Sequence, residues 1–319
     1  MEHKTSLGRS SLMVPRLGVG AMTWGQPSGL ARLTPAQMAY GPSHGTAEEE
    51  GALEVSLAAG VNLIDTAEMY SSGASERRVG ELVSGRDVNL ATKFPPSPFS
   101  RIEIFQKALE DSLIRLGRRS IDLYQVHFPN RRMPIPILMN LMADAVEAGK
   151  VRAVGVSNYS AEEMRLAHAE LAKRGIPLAS NQVQYSLLYR KPEVDGVLDA
   201  CRELGITLIA YFPLAMGALT GKYSTKTRAG GLRRFLPNFR GKAMAAVQPV
   251  VEILREIGER YSRSPSQVAL RWLIENEIVL PIPGAKNRRQ AAENASALSF
   301  SLSPEDIEAL NQVTMAWRI

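Results

Sequence analysis

A single cysteine, Cys201, stands in a chain of 319 residues. No intrachain disulfide can therefore staple the fold, and no multi-thiolate metal site can form. Cys201 itself reads as a buried helix residue rather than a sensor. The four histidines, His3, His44, His127 and His168, are too dispersed for a local ligand pair such as H-E-x-x-H, so no metal is expected. No apolar run approaches the roughly 18 residues of a membrane span, and the N-terminus lacks a signal-like apolar segment. No membrane association is expected, and the cytoplasm is the simplest compartment. Charge of one sign is also scarce: 38 Lys and Arg face 32 Asp and Glu, a formal net charge of +6. The basic pairs (Arg77-Arg78, Arg118-Arg119, Arg131-Arg132, Arg233-Arg234, Arg288-Arg289) are scattered and lack interleaved aromatics. They read as solvated surface charge, and no nucleic-acid partner is expected. Apolar residues at 45% and charged residues at 22% leave an ordinary globular chain with enough apolar content for a large core.

What the chain does have is an alternation. Short runs rich in Val, Ile and Leu predict strands at Leu17–Gly20, Asn62–Ala67, Asn89–Phe94, Ile121–Phe128, Ala153–Asn158, Ala179–Tyr185, Thr207–Pro213 and Val279–Gly284. Amphipathic helical patterns begin near Thr46, Ser75, Ser100, Pro134, Ser160, Pro192, Lys242 and Asn287. Thr46 and Ser160 read as N-caps, and Gly60, Gly117, Gly149, Gly175 and Gly205 as helix terminators. From the second strand to the seventh, strand starts recur every 26 to 32 residues, the length of one βα unit. Nearly continuous apolar strands are what parallel strands buried on both faces require. Eight such units predict a single (β/α)8 TIM barrel over residues 1–319. The rival dinucleotide fold fails at its fingerprint: Gly18-Val19-Gly20 is followed by Thr23 where the third glycine belongs. Residues 1–16 predict a hairpin or cap across the barrel bottom. Long loops at 26–45 and from Tyr223 to about Ala245 predict an elaborated C-terminal rim, and the second carries six Lys or Arg and no acid.

Barrel active sites lie at the C-terminal ends of the strands. There the sequence places Asp65 and Tyr70 after the second strand, Lys93 near the end of the third and His127 near the end of the fourth. Ser157, Asn158, Asn181, Gln182, Gln184 and Tyr211 follow on the fifth to seventh strands, and Gly284-Ala285-Lys286 on the eighth. A tyrosine of ordinary pKa near 10 is a poor acid at neutral pH. A neighbouring Lys93 ammonium is expected to stabilise the phenolate and lower that pKa, with Asp65 fixing the lysine. His127 is placed to donate to a substrate oxygen or relay a proton, and a carbonyl receiving hydride develops the charge such donors stabilise. Singly, each residue has an ordinary structural role as turn, rim packing or core histidine. Nothing in them names the hydride donor.

The motifs carry a resemblance. Gly20-Ala-Met-Thr-Trp-Gly25, Asp65-Thr-Ala-Glu-Met-Tyr70, Ala91-Thr-Lys-Phe94 and Asp122-Leu-Tyr-Gln-Val-His127 resemble the aldo-keto reductase superfamily. So do Val154-Gly-Val-Ser-Asn158, Asn181-Gln-Val-Gln-Tyr185, Ala210-Tyr-Phe-Pro-Leu-Ala215, Gly221-Lys-Tyr223, and Ile282-Pro-Gly-Ala285 with Ala292-Glu-Asn294. The likeness runs in order from about residue 5 to residue 312. It implies NAD(P)H-dependent reduction of aldehydes or ketones, with Asp65, Tyr70, Lys93 and His127 as the catalytic tetrad and Tyr70 as general acid. Histidine in the fourth place resembles the carbonyl reductases rather than the steroid double-bond reductases. The resemblance also implies that Asp65, Ser157, Asn158 and Gln182 hold the nicotinamide end, with Tyr211 stacking on it and Thr23 and Trp24 beside it. Phe212, Leu214, Met216 and Lys222 fall in the pyrophosphate segment. Gly284, Ala285, Lys286, Gln290, Glu293 and Asn294 fall at the adenosine end, where a helix N-terminus favours phosphate.

Lys286, Arg288 and Arg289 cluster where a 2′-phosphate belongs, so NADPH (NADP+) is the expected cofactor, with the basic loop 223–245 closing over it. Two departures stand out: Phe212 occupies a position where many members carry serine, and Gln290 replaces an arginine of some branches. Trp24, Met69, Phe94, Phe128 and Met133, with Tyr70 and His127, predict an apolar pocket for a small-molecule carbonyl or alcohol. Transfer of the pro-R hydride is the family's usual course. A secondary-alcohol dehydrogenase would use the same residues in reverse. A regulatory subunit of the potassium-channel β type would share the motifs, and a barrel beginning almost at residue 5 favours the enzyme over it. The sequence assigns no oligomeric state.

Overall fold

The computed structural model describes residues 4–26, 43–95, 102–130, 133–224, 227, 229–235 and 237–319. Eight parallel strands form one sheet: β3 (Val19–Gly20), β4 (Leu63–Asp65), β5 (Asn89–Phe94), β6 (Ile121–Val126), β7 (Val151–Ser157), β8 (Leu178–Gln184), β9 (Thr207–Tyr211) and β10 (Val279–Pro281). Each pairs with its neighbours in chain order. The ring closes through a parallel bridge between Gly20 and Gly284. There the amides of Gly18 and Gly20 donate to the carbonyls of Pro281 and Pro283. Both prolines lack an N–H, which is why β10 ends at Pro281 rather than Gly284 as the apolar run suggested, while their carbonyls still complete the seam. β9 stops at Tyr211 because Phe212 turns left-handed at φ 51°.

Around the sheet run α1 (Thr46–Ala58), α2 (Ala74–Leu82), α3 (Ile102–Leu116), α4 (Ile135–Glu147), α5 (Ala161–Ala172), α6 (Val197–Leu204), α7 (Gly241–Tyr261), α8 (Pro265–Glu275), α9 (Arg288–Ala295) and α10 (Pro304–Val313). The barrel is the predicted (β/α)8 architecture. Ser160 forms a full capping box with Glu163, as its S-x-x-E spacing suggests. Thr46 does not cap: Gly45 takes that position, and the Thr46 hydroxyl instead accepts from Arg78. The pattern at Pro192 yields only a short 3-10 turn, and α6 begins five residues later, past a left-handed Gly196. All five terminator glycines are left-handed. The predicted start near Ser100 and much of the loop 26–45 lie outside the described residues, as do Arg131 and Arg132.

A hairpin, β1 (Lys4–Ser6) and β2 (Met13–Pro15), plugs the bottom of the barrel. Its Leu7, Leu12 and Val14 pack against the inward layer Leu63, Ala91, Leu123, Ala153, Ile209 and Leu280. Side chains alternate across a strand, so two residues further on every strand again faces inward. That step replaces the apolar layer by Asp65, Lys93 and Gln125. The polar layer is buried on its lower side by hydrocarbon and opens only toward the rim.

Candidate active site

Lys93 is fully buried, and its ammonium is shared among three acceptors. Nζ lies 2.6 Å from Asp65 Oδ1, 2.7 Å from the Thr66 carbonyl and 3.5 Å from Tyr70 Oη. It also stands 5.0 Å from the centre of the Tyr70 ring. The loop carrying Tyr70 is held from several sides. The Ser75 hydroxyl bonds Thr66 Oγ1 and the Ala21 carbonyl at 2.8 and 2.7 Å. Arg115 pairs with Glu76 at 2.5 Å and reaches Glu68 at 3.8 Å. Ser71, Ser72 and Gly73 all take positive φ directly after Tyr70. For the two serines this costs about 1–2 kcal/mol each, which the surrounding contacts must hold. Gly25 admits the approach of α2: a Cβ there would stand 2.4 Å from the Ala74 carbonyl.

His127 meets Tyr70 edge-on, with centroids 5.7 Å apart, and stacks flat on Phe128 at 4.5 Å. Its Nδ1 is buried without a hydrogen-bond partner among the described residues. Burial and the Lys93 charge push its pKa down to about 3, so the imidazole is neutral across the physiological range. Lys93 is held above its ordinary value: burial pulls it down, but Asp65 and Tyr70 outweigh that. Tyr70 departs from expectation. Lys93 does pull its pKa down, yet burial pushes harder in the other direction and Asp65 adds to it, leaving the phenol above 10. The lysine makes its two shortest contacts with Asp65 and Thr66 rather than with the phenol, which limits the help it gives.

Asn158, left-handed at φ 62°, links the next three strands. Its amide donates to the His127 carbonyl and Ser157 Oγ at 3.1 and 3.0 Å, and its oxygen accepts from Tyr211 at 3.0 Å. Gln182 donates to Asp65 Oδ2 at 2.8 Å, and its carbonyl accepts from Ser157 Oγ at 2.7 Å.

These residues open on a cavity of about 740 Å³, within the usual range for small-molecule sites. Thr23, Asp65, Tyr70, His127, Phe128, Ser157, Asn158, Gln182 and Tyr211 line one end. Phe212, Leu214, Met216, Lys222, Gly284, Lys286, Gln290, Glu293 and Asn294 line the other. Five predicted residues do not face it: Lys93, Trp24, Phe94, Met133 and Ala285, all buried. Lys93 lies behind Asp65 and Tyr70, and Met133 belongs to the core rather than to the predicted apolar pocket. Trp24 is fully buried and donates its indole N–H to the Ala285 carbonyl at 2.7 Å, which also draws Ala285 under the surface. Phe94 packs against Phe105 at 5.1 Å in the core. Both are framework, not pocket. Phe128 and Met69, about half-exposed, remain as apolar wall.

The cations are also redistributed. Arg288 turns away to pair with Glu54 on α1 at 2.5 Å. In its place Arg233, bonded to the Tyr223 hydroxyl at 3.0 Å, lines the cavity with Lys286. Burial and then the Arg233 charge hold Lys286 below its ordinary value. Gln290, the arginine substitute, accepts from the Lys286 amide at 2.9 Å. Left-handed backbone at Ala215, Met216 and Gly217 folds the neighbouring segment tightly against the same end. A concave site with two partly desolvated cations at one end and an amide–phenol cluster at the other fits a long anionic dinucleotide. Met22, His44, Ser71, Tyr223 and Arg233 line the cavity without having been singled out as site residues. Gln125 lies beneath it, and its signal was present: it sits two positions before His127 on the same inward face.

Barrel, buried Lys–Asp pair, phenol and neutral imidazole together define a nicotinamide-dependent oxidoreductase of carbonyl and alcohol groups. The comparisons agree. The family model described as "Aldo/keto reductase family" matches residues 16–314. An uncharacterized oxidoreductase of Mycobacterium tuberculosis is 36% identical, covering 96% of this chain and 91% of its own. The aldo-keto reductase yakc [NADP(+)] of Schizosaccharomyces pombe is 34% identical, over 94% and 88%. The structure of a glycerol dehydrogenase from Gluconobacter oxydans matches with a TM-score of 0.82 at 25% identity, over 99% and 96%. The chain belongs to the aldo/keto reductase family and is an NAD(P)H-dependent oxidoreductase. Among the described residues no helix is long and apolar enough to cross a membrane, and no cluster of His, Cys, Asp or Glu is suited to a metal ion.

Proposed function

We propose that the protein reduces an aldehyde or ketone to the alcohol at the expense of NADPH, with Tyr70 as the general acid. The observation that carries this is the contact chain Asp65–Lys93–Tyr70 ending at the cavity wall beside His127. A carbonyl oxygen seated against Tyr70 and His127 accepts a hydrogen bond from each. Ser157, Asn158 and Gln182 are the residues that would hold the nicotinamide amide, and Lys286 with Arg233 the anionic end. The reduced nicotinamide, when bound, supplies hydride to the carbonyl carbon. As charge grows on the oxygen, Tyr70 passes its proton there and is left a phenolate 3.5 Å from the Lys93 ammonium. Lys93 stays charged because Asp65 faces it, and His127 stays neutral, so the developing negative charge meets a phenol O–H and an imidazole N–H with the ammonium behind them. A proton from water then restores the phenol.

Two observations support the finer parts. The partly desolvated Lys286–Arg233 pair suits a 2′-phosphate as well as a pyrophosphate, and the fission-yeast relative carries NADP(+) in its name. The likeness to a glycerol dehydrogenase favours a second reading, oxidation of an alcohol with the Tyr70 phenolate as base. The deciding assay follows NADPH consumption with a panel of aromatic aldehydes and dicarbonyls, and NADP+ reduction with secondary alcohols. Turnover in the first arm that is lost in Tyr70→Phe supports reduction. Turnover only in the second supports the reverse direction, and turnover retained in Tyr70→Phe removes Tyr70 as the acid.

A further inference from the structure

One fully buried polar side chain in the barrel interior has no part in the mechanism above. Gln125 lies on β6 in register with Lys93 on one side and Gly155 on the other. It is fully buried, and its side chain turns across the barrel toward Asp65. Nε2 stands 3.3 Å from Asp65 Oδ2, the oxygen that also accepts from Gln182 at 2.8 Å, and Gln125 Oε1 lies 3.5 Å from Gln182 Nε2. An ionised carboxylate only accepts, so the amide N–H groups of both glutamines must face it. Asp65 is thereby divided: Oδ1 belongs to Lys93, and Oδ2 to two amides.

The space for this arrangement is made by a glycine. A Cβ at Gly155 would stand 2.9 Å from Gln125 Cγ and 2.4 Å from Ser180 Oγ. Any larger residue would push the amide off its line to Asp65. A side chain serving only as filler would need neither a polar end in the barrel interior nor a missing Cβ beside it. Burying an amide without a partner is costly, so the polar end is kept there for its contacts.

We infer that Gln125 is a positioning residue that sets the acidity of Tyr70 through Asp65, by spreading the carboxylate's charge away from the Lys93–Tyr70 contact. The groups facing that contact are few: Asp65 from β4, Lys93 from β5, His127 from β6 and Tyr211 from β9. Lys93 is charged, His127 neutral, and burial holds Tyr211 protonated up to about 12. The negative charge acting on Tyr70 is therefore that of Asp65. Removing one donor concentrates that charge, which disfavours the phenolate and makes Tyr70 a weaker acid.

The test rests on Tyr70 being the acid, and is built so that the two can fail separately. Carbonyl reduction and alcohol oxidation are measured from pH 6 upward for the full-length enzyme, Gln125→Met and Gln125→Asn, with Tyr70→Phe alongside. Met keeps the volume and removes the donor; Asn keeps the amide and withdraws it by one methylene. The expected result is that the basic limb of the wild type moves up by about half a unit to one unit in Gln125→Met, and in the same direction in Gln125→Asn. At neutral pH kcat falls by about 3–10-fold, with KM and the NADPH dissociation constant within about twofold of wild type. A limb that stays in place in both variants overturns the inference, whether or not kcat has fallen. Loss of kcat that follows loss of folded protein, with an unmoved limb in the variant that folds, also overturns it. Turnover retained in Tyr70→Phe sinks the assignment of the acid instead.

Discussion

Replacing Lys286 by Met removes a cation from the far end of the cavity while keeping most of its aliphatic stem. Hydrogen bonds to charged groups contribute about 1.5–3 kcal/mol. Two facts lower the figure here. Lys286 is only partly buried, so solvent screens part of the attraction. Arg233 also repels it, as the lowering of the Lys286 pKa by Arg233 shows, and that repulsion disappears in the variant. The net loss should be about 1–2 kcal/mol, or roughly 5–30-fold in NADPH affinity. NADH lacks the 2′-phosphate and should change by about twofold or less. Binding is read by titrating cofactor fluorescence, without turnover, at two salt concentrations. The NADPH penalty should shrink at high salt, because charges beyond about 8–10 Å are screened at physiological ionic strength. Arg233→Met should behave alike, and the double variant should lose less than the sum, because each single change also relieves repulsion. Equal losses for NADPH and NADH would refute the placement of the 2′-phosphate between these cations. Strict additivity would refute their coupling.

Tyr70→Phe should abolish carbonyl reduction while leaving NADPH affinity within about twofold, since the role proposed for the hydroxyl is on the substrate oxygen. Trp24→Phe leaves the Ala285 carbonyl without its 2.7 Å donor, and should destabilise the fold by about 1–3 kcal/mol in urea titration. An unchanged midpoint would mean the seam between the first and last rim loops is held elsewhere. His127 titrates near its ordinary 6.5 in the unfolded chain but at about 3 when folded. The unfolded state therefore binds the extra proton between those values. The stability tied to His127 is full above pH 6.5 and is lost as pH falls toward 3, by about 1.4 kcal/mol per pH unit at the steepest. His127→Gln should flatten that slope between pH 6 and 4, and an identical slope would show that the imidazole is not buried neutral.

Much of this molecule was legible because its signals are periodic. Strand spacing announced the barrel, and their places at or near the C-terminal ends of successive strands put Asp65, Lys93 and His127 on one rim. The errors lie where periodicity says nothing. Trp24 sits in a loop, and no pattern tells whether a loop aromatic points into a cavity or under it; the bond to Ala285 decides for under. Phe94 follows Lys93 on the strand, so the alternation that turns Lys93 inward should have turned Phe94 out to the helices, where Phe105 meets it. Arg288 was read as a phosphate ligand because it is near Lys286 in sequence. The first turn of α9 instead carries it toward α1, where Glu54 competes for it.

The same distinction explains why the acidity of Tyr70 was the hardest property to read. Residue types gave the sign of the lysine's influence, downward, but not the upward push of burial and of Asp65. The balance depends on distances. Lys93 Nζ is 2.6 Å from Asp65 but 3.5 Å from Tyr70, so most of its field is neutralised before it reaches the phenol. Bringing the phenol into range must come from whatever shortens the second distance or weakens the hold of the first. The amides of Gln125 and Gln182 on Asp65 Oδ2 act on the first. The left-handed turn at Ser71 and Ser72, braced by Ser75 and Arg115, fixes the second. The Tyr70 phenol, the proposed acid, is thus set from two sides of the barrel, and a substitution on either side should be visible in the pH profile of turnover before it is visible in cofactor binding.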